Sequence, residues 1–202
     1  MNFILASASP RRRELLKSIN LDFEIITTDI EDELKLDLVG SDLSLKLSEA
    51  KAIDVAKKVQ GNDEYSGEYI VIGADTTVKL GDEIFGKPAD RNEAQVMLGK
   101  LSGNCHEVIT GVTIVKLPEF KVISDKEETK VYFKKLTSAE IDSYIETNEY
   151  IGKAGAYAIQ GYGALMVARI EGCYPNIVGL PLYKLNNMLH TFKVNLFECI
   201  NI

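Results

Sequence analysis

The chain has 202 residues, 46% of them apolar and 26% charged, with a formal net charge of -7, a mix suited to a single domain over 1–202 with its own core. The acidic balance argues against a broad nucleic-acid face and against adhesion to an anionic membrane. Cys105, Cys173 and Cys199 lack CxxC or Cys/His spacing, which argues against zinc and for a reducing compartment, and no apolar run reaches membrane-spanning length. The cytoplasm is the expected location.

In chain order, Phe3 to Ala6 reads as a buried strand, and Pro10 to Ile19 as a helix with Leu15, Leu16 and Ile19 on one face. Between them, Ser9 suits the N-cap and Pro10 the first helical position. Arg11, Arg12 and Arg13 then fall in the first turn, where the helix macrodipole disfavours cations. Concentrated positive charge there, beside free N–H groups and serine hydroxyls, suits a polyphosphate. Phe23 to Thr27 reads as a second strand and Asp29 to Glu33 as an acidic loop. Leu43 to Val59 has helical spacing. Tyr69 to Gly73 reads as a buried strand, with Gly81-Asp82 as a tight turn after it.

Asp90-x-x-Glu93 reads as a capping box for a helix ending near Ser102-Gly103, and Thr137-x-x-Glu140 as another for a helix to about Thr147. Long strands are expected over Val108 to Lys116 and Lys121 to Lys135, joined around Pro118. Glycines mark 152 to 163 as a loop, Leu165 to Ile170 reads as a strand, and Pro181 opens a last long helix. The class is mixed α/β, and two lobes around a cleft fit the long central strands.

The residues with chemistry to offer are few. Asp75, in Gly73-Ala-Asp-Thr-Thr77, sits at the expected end of a buried strand with small neighbours. A carboxylate there can cap a turn, bind magnesium or take a proton from water. Glu31, Asp32 and Glu33 form either a solvated run or, facing Asp75, a site for a divalent cation on a phosphate chain. Lys51 lies on a helix, and Lys87 is fixed between Gly86 and Pro88; both suit phosphate as point charges. Lys153 to Gly161 is a loop of small residues in which Gln160 offers both donors and acceptors. His106 and His190 read as structural or exposed. Walker, GxGxxG and GxSxG motifs are absent from the sequence.

Together these segments resemble the Maf family of nucleotide pyrophosphatases. The resemblance rests on Ser7-x-Ser9-Pro-Arg-Arg-x-Glu-Leu-Leu16, Lys51-Ala52, Gly73-Ala-Asp-Thr76, Gly86-Lys-Pro88, Leu101-Ser-Gly103, Lys153-Ala-Gly-Ala-Tyr157, Ile159-Gln-Gly161 and Val178-Gly-Leu-Pro181. It implies a two-lobed, ITPase-like α/β fold with flanking helices around a central cleft. It also implies cleavage of a nucleoside triphosphate between the α and β phosphates, a divalent cation (magnesium or manganese) and a homodimer.

The family's base would fall on Asp75, its metal on Asp75 with Glu31 or Asp32, and its substrate contacts on Ser9, Arg12, Lys51 and Lys87. Arg11, Thr76 and Gln160 resemble the branch acting on dTTP and UTP rather than the one acting on 7-methyl-GTP. Gln160 can pair with both the acceptor and the donor of a uracil or thymine edge. The alternatives are the same chemistry on 7-methyl-GTP or a non-canonical purine triphosphate, and a non-enzymatic binding protein in division control.

Overall fold

The computed structural model describes residues 1–30 and 42–200. Its centre is a mixed sheet of β1 (Asn2–Leu5), β2 (Glu24–Ile25), β3 (Tyr69–Leu80), β4 (Glu83–Phe85), β5 (Cys105–Leu117), β6 (Lys121–Phe133) and β7 (Val167–Glu171). The strand order is β2-β1-β3-β5-β6-β7, with β4 pairing the far end of β3. β1 runs parallel to β2 and β3, and the other pairs are antiparallel. The flanking helices are α1 (Pro10–Ser18), α2 (Leu43–Gln60), α3 (Arg91–Leu101), α4 (Ser138–Glu146), α5 (Tyr174–Val178), α6 (Leu182–His190) and α7 (Leu196–Cys199).

Three cores form on this frame. On one sheet face α2 packs Val55 and Val59 against Ile4, Val71 and Val115. On the other, Leu16 of α1 and Leu185 of α6 meet Leu5, Ile70, Ile72 and Ile114. At the far end of the long strands, Leu98 of α3 and Ile145 of α4 close over Val78, Phe85, Val108 and Phe133. The first two cores make one lobe and the third makes the other. β3, β5 and β6 run through both lobes, as the length of the central strands suggests.

The sequence expectation that β3 stops at Gly73 is wrong, and the correction matters for the site. The strand continues to Leu80, so Asp75 lies inside it rather than at its end. Thr76, Thr77 and Val78 are good strand residues and pair with β5. Gly73 does not punctuate; it marks close approach of another backbone. A Cβ placed there would lie 2.4 Å from the carbonyl oxygen of Ser48, and one at Gly111 would lie 2.3 Å from that of Ser44. Gly73 and Asp75 share a sheet face, and Gly111 is the cross-strand partner of Asp75. The two glycines therefore let α2 lie almost on the sheet beside Asp75. Ser48 and Thr113 seal the contact with a 2.9 Å hydroxyl pair.

Gly111→Ala tests this packing. The added methyl meets backbone, so α2 must lift, with a stability loss of about 1–3 kcal/mol. A fall in melting temperature, together with weaker nucleotide binding through the displaced Lys51, is the expected result.

Elsewhere the local signals hold. Gly81-Asp82 is the two-residue loop between paired Leu80 and Glu83, with Gly81 at φ 60°. Thr137 and Glu140 form a reciprocal capping box on α4. On α3, Asp90 accepts from the Glu93 amide, but the Glu93 carboxylate turns to the Ala89 N–H at 2.6 Å. The segment 152 to 163 contains a short 3-10 turn at Ala154–Ala156, and a second spans Gly161–Met166. The short α5, α7 and β4 carry too little pattern to stand out in sequence. The helix after Pro181 is only nine residues long.

Candidate active site

A cleft of about 560 Å³ opens between the lobes. One wall is the β1–α1 turn from Ser7 to Arg12; the opposite wall includes Lys153, Ala154 and Tyr157. Asp75, Thr76, Lys51 and Lys87 also line it. Among the described residues, five cationic side chains (Arg11, Arg12, Lys51, Lys87 and Lys153) face two carboxylates (Asp29 and Asp75) in a chain whose net charge is -7. Such local reversal of sign, walled by protein, focuses an anion into the cleft.

Asp75 is held by Lys51. The ammonium donates to Oδ1 at 2.6 Å, with both side chains about one-tenth exposed. The glycine contacts explain this pair: α2 lies close enough for a lysine on its sheet-facing side to reach a carboxylate on β3. With Oδ1 so occupied, Oδ2 is the oxygen left to address a water or a cation.

Thr76, one residue on, points to the other sheet face and joins a different network. Its hydroxyl pairs with Thr110 at 2.9 Å and accepts from Arg12 at 3.1 Å. Arg12 is buried and makes two further bonds, Nη1 to Ser7 Oγ at 2.9 Å and Nε to the Gly179 carbonyl at 2.8 Å. This guanidinium thus ties the β1–α1 turn, β3 and the residue after α5 together. Ser9 occupies the N-cap position of α1 but makes no side-chain cap bond, contrary to the sequence expectation; its amide instead bonds the Ser7 hydroxyl at 3.3 Å.

Arg11 is half-buried on the cleft wall. Burial pushes its pKa below the usual arginine value, opposed by the fields of Tyr144, Tyr157, Glu149 and Glu14. Lys153 is also pushed down, first by burial and then by the nearby Arg11 charge. Holding two cations together is unfavourable in the free protein and is relieved by an anion. The sequence reading gave Lys153 no role, although it opens the Lys153-Ala-Gly-Ala-Tyr157 segment. Gly155 in that segment is at φ 67°, where a Cβ would press on Val78 at 3.0 Å.

Tyr157 lines the cleft, and His106 lies behind it with Nε2 2.8 Å from the tyrosine oxygen. His106 is 1% exposed, packs edge-on against Phe133 and Tyr157, and has no partner for Nδ1 among the described residues. Burial lowers its pKa to about 4. The unfolded chain, with an ordinary histidine, therefore binds the proton first. Stability contributed by neutral His106 is complete above about pH 6.5 and is lost as pH falls towards 4, a total of about 3 kcal/mol. Urea unfolding at pH 7 and at pH 4.5 should show this loss in the wild type and a shallower pH slope in His106→Gln.

The other expected site residues are placed less fully. Glu31, Asp32 and Glu33 lie outside the described residues. Gln160 is half-buried and follows Ile159, which lines the cleft, but is not itself among the lining residues. Among the described residues no group of three or more His, Cys, Asp or Glu side chains is arranged to hold a metal.

Comparison with known proteins fits this geometry. A family model described as Maf-like protein matches residues 2–192. A curated relative from Acetivibrio thermocellus, named dTTP/UTP pyrophosphatase, is 47% identical over 200 residues, covering 99% of this chain and 100% of the relative. Another from Thermoanaerobacter sp., with the same name, is 52% identical over 189 residues, covering 94% and 95%. A solved structure of the Staphylococcus aureus Ham1 protein aligns at TM-score 0.39 and 14% identity, covering 83% of this chain and 80% of that one, a likeness that adds nothing to the fold described above.

Proposed function

The chain belongs to the Maf family, and from that premise we propose that its cleft hydrolyses dTTP, UTP and modified pyrimidine triphosphates to the monophosphate and pyrophosphate. The observation that carries the reading is Asp75, a carboxylate fixed by Lys51 inside a cleft whose charged lining is mostly cationic. Relatives near half identity over almost the whole chain, named for dTTP and UTP, support the substrate class.

Arg11, Lys51 and Lys87 hold the triphosphate, with Arg12 bracing the turn that presents Ser9 and Arg11. Asp75 Oδ2 takes a proton from water. The water oxygen bonds to the α phosphorus as the bond from that phosphorus to the bridging oxygen breaks, and pyrophosphate leaves with the electron pair. The cations around the phosphate chain stabilise the charge that develops on the leaving group.

The donor set suits a hard divalent cation. Magnesium or manganese needs one or two carboxylates, and the phosphate chain and water complete its shell. Asp75 would hold it with a second carboxylate at Glu31 or Asp32. When bound it supplies charge neutralisation at the phosphates. Gln160 meets the uracil or thymine edge, with Arg11 and Thr76 as the other branch-determining positions. The same reading makes the protein a cytoplasmic homodimer; no helix among the described residues is long and apolar enough to cross a membrane.

Pyrophosphate release is to be measured from dTTP, UTP, CTP, 7-methyl-GTP and ITP with magnesium or manganese. Release mainly from dTTP and UTP is expected. Release mainly from 7-methyl-GTP or ITP overturns the pyrimidine assignment and keeps the chemistry. Binding without release from any nucleotide overturns the enzyme reading.

A further inference from the structure

The segment that follows Gln160 is fastened by its own side chains mainly at its far end. Met166 is buried in the core, whereas Tyr162 is 61% exposed and Leu165 75% exposed. What holds the start of the turn is a carboxylate from outside. Glu149 accepts the Tyr162 N–H on Oε1 at 3.1 Å and the Gly163 N–H on Oε2 at 2.9 Å. Gly161 is moulded to this contact: it sits at φ +76°, and a Cβ there would lie 2.0 Å from Glu149 Oε1. Just upstream, the Tyr144 hydroxyl accepts the Ala158 N–H at 3.2 Å. Tyr144 and Glu149, at and just beyond the end of α4, thus grip the chain on both sides of Ile159-Gln160.

We propose that Glu149 is a positioning residue for nucleobase discrimination: it fixes the 158–163 segment so that Gln160 presents one set of donors and acceptors to the base. The inference rests on the reading of Gln160 as the group facing the pyrimidine edge. Two charge-assisted bonds to consecutive amides fix a backbone more tightly than neutral ones would. Without them Gln160 still has its chemistry but not its placement, and selection between a thymine edge and a cytosine edge is what loose placement loses first. Glu149 also lies within electrostatic reach of Arg11, so a competing role is to tune phosphate binding. The two roles differ in which part of the nucleotide they affect.

The test compares the full chain with Glu149→Ala and Glu149→Gln. Each variant is assayed for kcat and KM on dTTP and CTP, for inhibition by inorganic triphosphate, and for melting temperature. In Glu149→Ala the dTTP:CTP ratio of kcat/KM is expected to fall by about tenfold, the size of one lost charged hydrogen bond. Inorganic triphosphate should inhibit as it does the wild type. Glu149→Gln keeps one acceptor oxygen and should recover part of the ratio; it also carries the comparison if the alanine variant does not fold. An unchanged ratio in a folded variant overturns the proposal, as does triphosphate inhibition weakened as much as dTTP turnover. Failure of the functional reading looks different: the wild type then releases no pyrophosphate from dTTP or UTP. Equilibrium binding of UMP against CMP then decides the positioning claim. Loss of a wild-type preference in Glu149→Ala supports it, and absence of any preference in the wild type overturns it.

Discussion

Asp75→Asn lowers pyrophosphate release from dTTP by about a thousandfold, within the range lost when a general base is removed, while nucleotide binding survives. The geometry makes this separation possible. Asparagine is nearly isosteric and still offers an oxygen to Lys51, so the 2.6 Å contact has a neutral successor. What disappears is the negative charge. Lys51, about one-tenth exposed, then loses the charge of its 2.6 Å partner, and breaking a buried pair outright costs about 3–5 kcal/mol. The retained amide contact and the open cleft keep the cost below that range.

A triphosphate restores the missing negative charge, so nucleotide should raise the melting temperature of the variant more than that of the wild type. Removing a carboxylate from a site that binds an anion also relieves repulsion, so metal-free dTTP should bind as tightly as to the wild type or more tightly, while a weakened hold on the divalent cation adds to the collapse of kcat. An Asp75 that only anchored Lys51 would give the opposite pattern, with kcat largely kept and binding and stability lost together. Steady-state kinetics and melting with and without dTTP distinguish the two.

The site was legible in the sequence where chemistry is local and illegible where it depends on packing. Ser9-Pro10-Arg11-Arg12 shows a helix start loaded with cations, and the structure has α1 beginning at Pro10 with that turn on the cleft wall. Thr137-x-x-Glu140 shows a capping box because all its partners lie within four residues. The pairing of Lys51 with Asp75 was not visible, since the two lie 24 residues apart and meet because two glycines on neighbouring strands admit α2 against the sheet. The same glycine, Gly73, misled the strand boundary. Read alone, glycine breaks a strand; read with α2 above it, glycine is what the helix contact requires. Glu149 was invisible for a similar reason. Its partners are backbone amides 13 and 14 residues away, and no side-chain pattern records a bond to an amide.

Adjacent arginines should fail in different ways. Arg12→Met should lower stability by about 3 kcal/mol, because a buried donor is removed and its partners are left without it. Those partners include Ser7, Thr76 and the Gly179 carbonyl, which come from three separate parts of the chain. Methionine fills much of the volume and replaces none of the bonds. Lysine does little better, since a single ammonium cannot spread three donors in a plane. The backbone at Gly179 closes on the site too: at φ +124° a Cβ there would stand 3.4 Å from Arg12 Nε. Arg11→Met should leave stability unchanged or slightly raised. Arg11 is half-buried, burial already disfavours its charge, and it lies close enough to push down the Lys153 pKa. Its removal therefore relieves repulsion in the empty cleft and forfeits attraction only when phosphate is present. KM for dTTP should rise by about tenfold or more, the worth of a charge-assisted contact. Thermal melting and KM measured on both variants separate the brace from the phosphate ligand. If Arg11→Met is the less stable of the two, the roles assigned to these neighbours are reversed, and the charge that binds substrate is the one buried in the clamp.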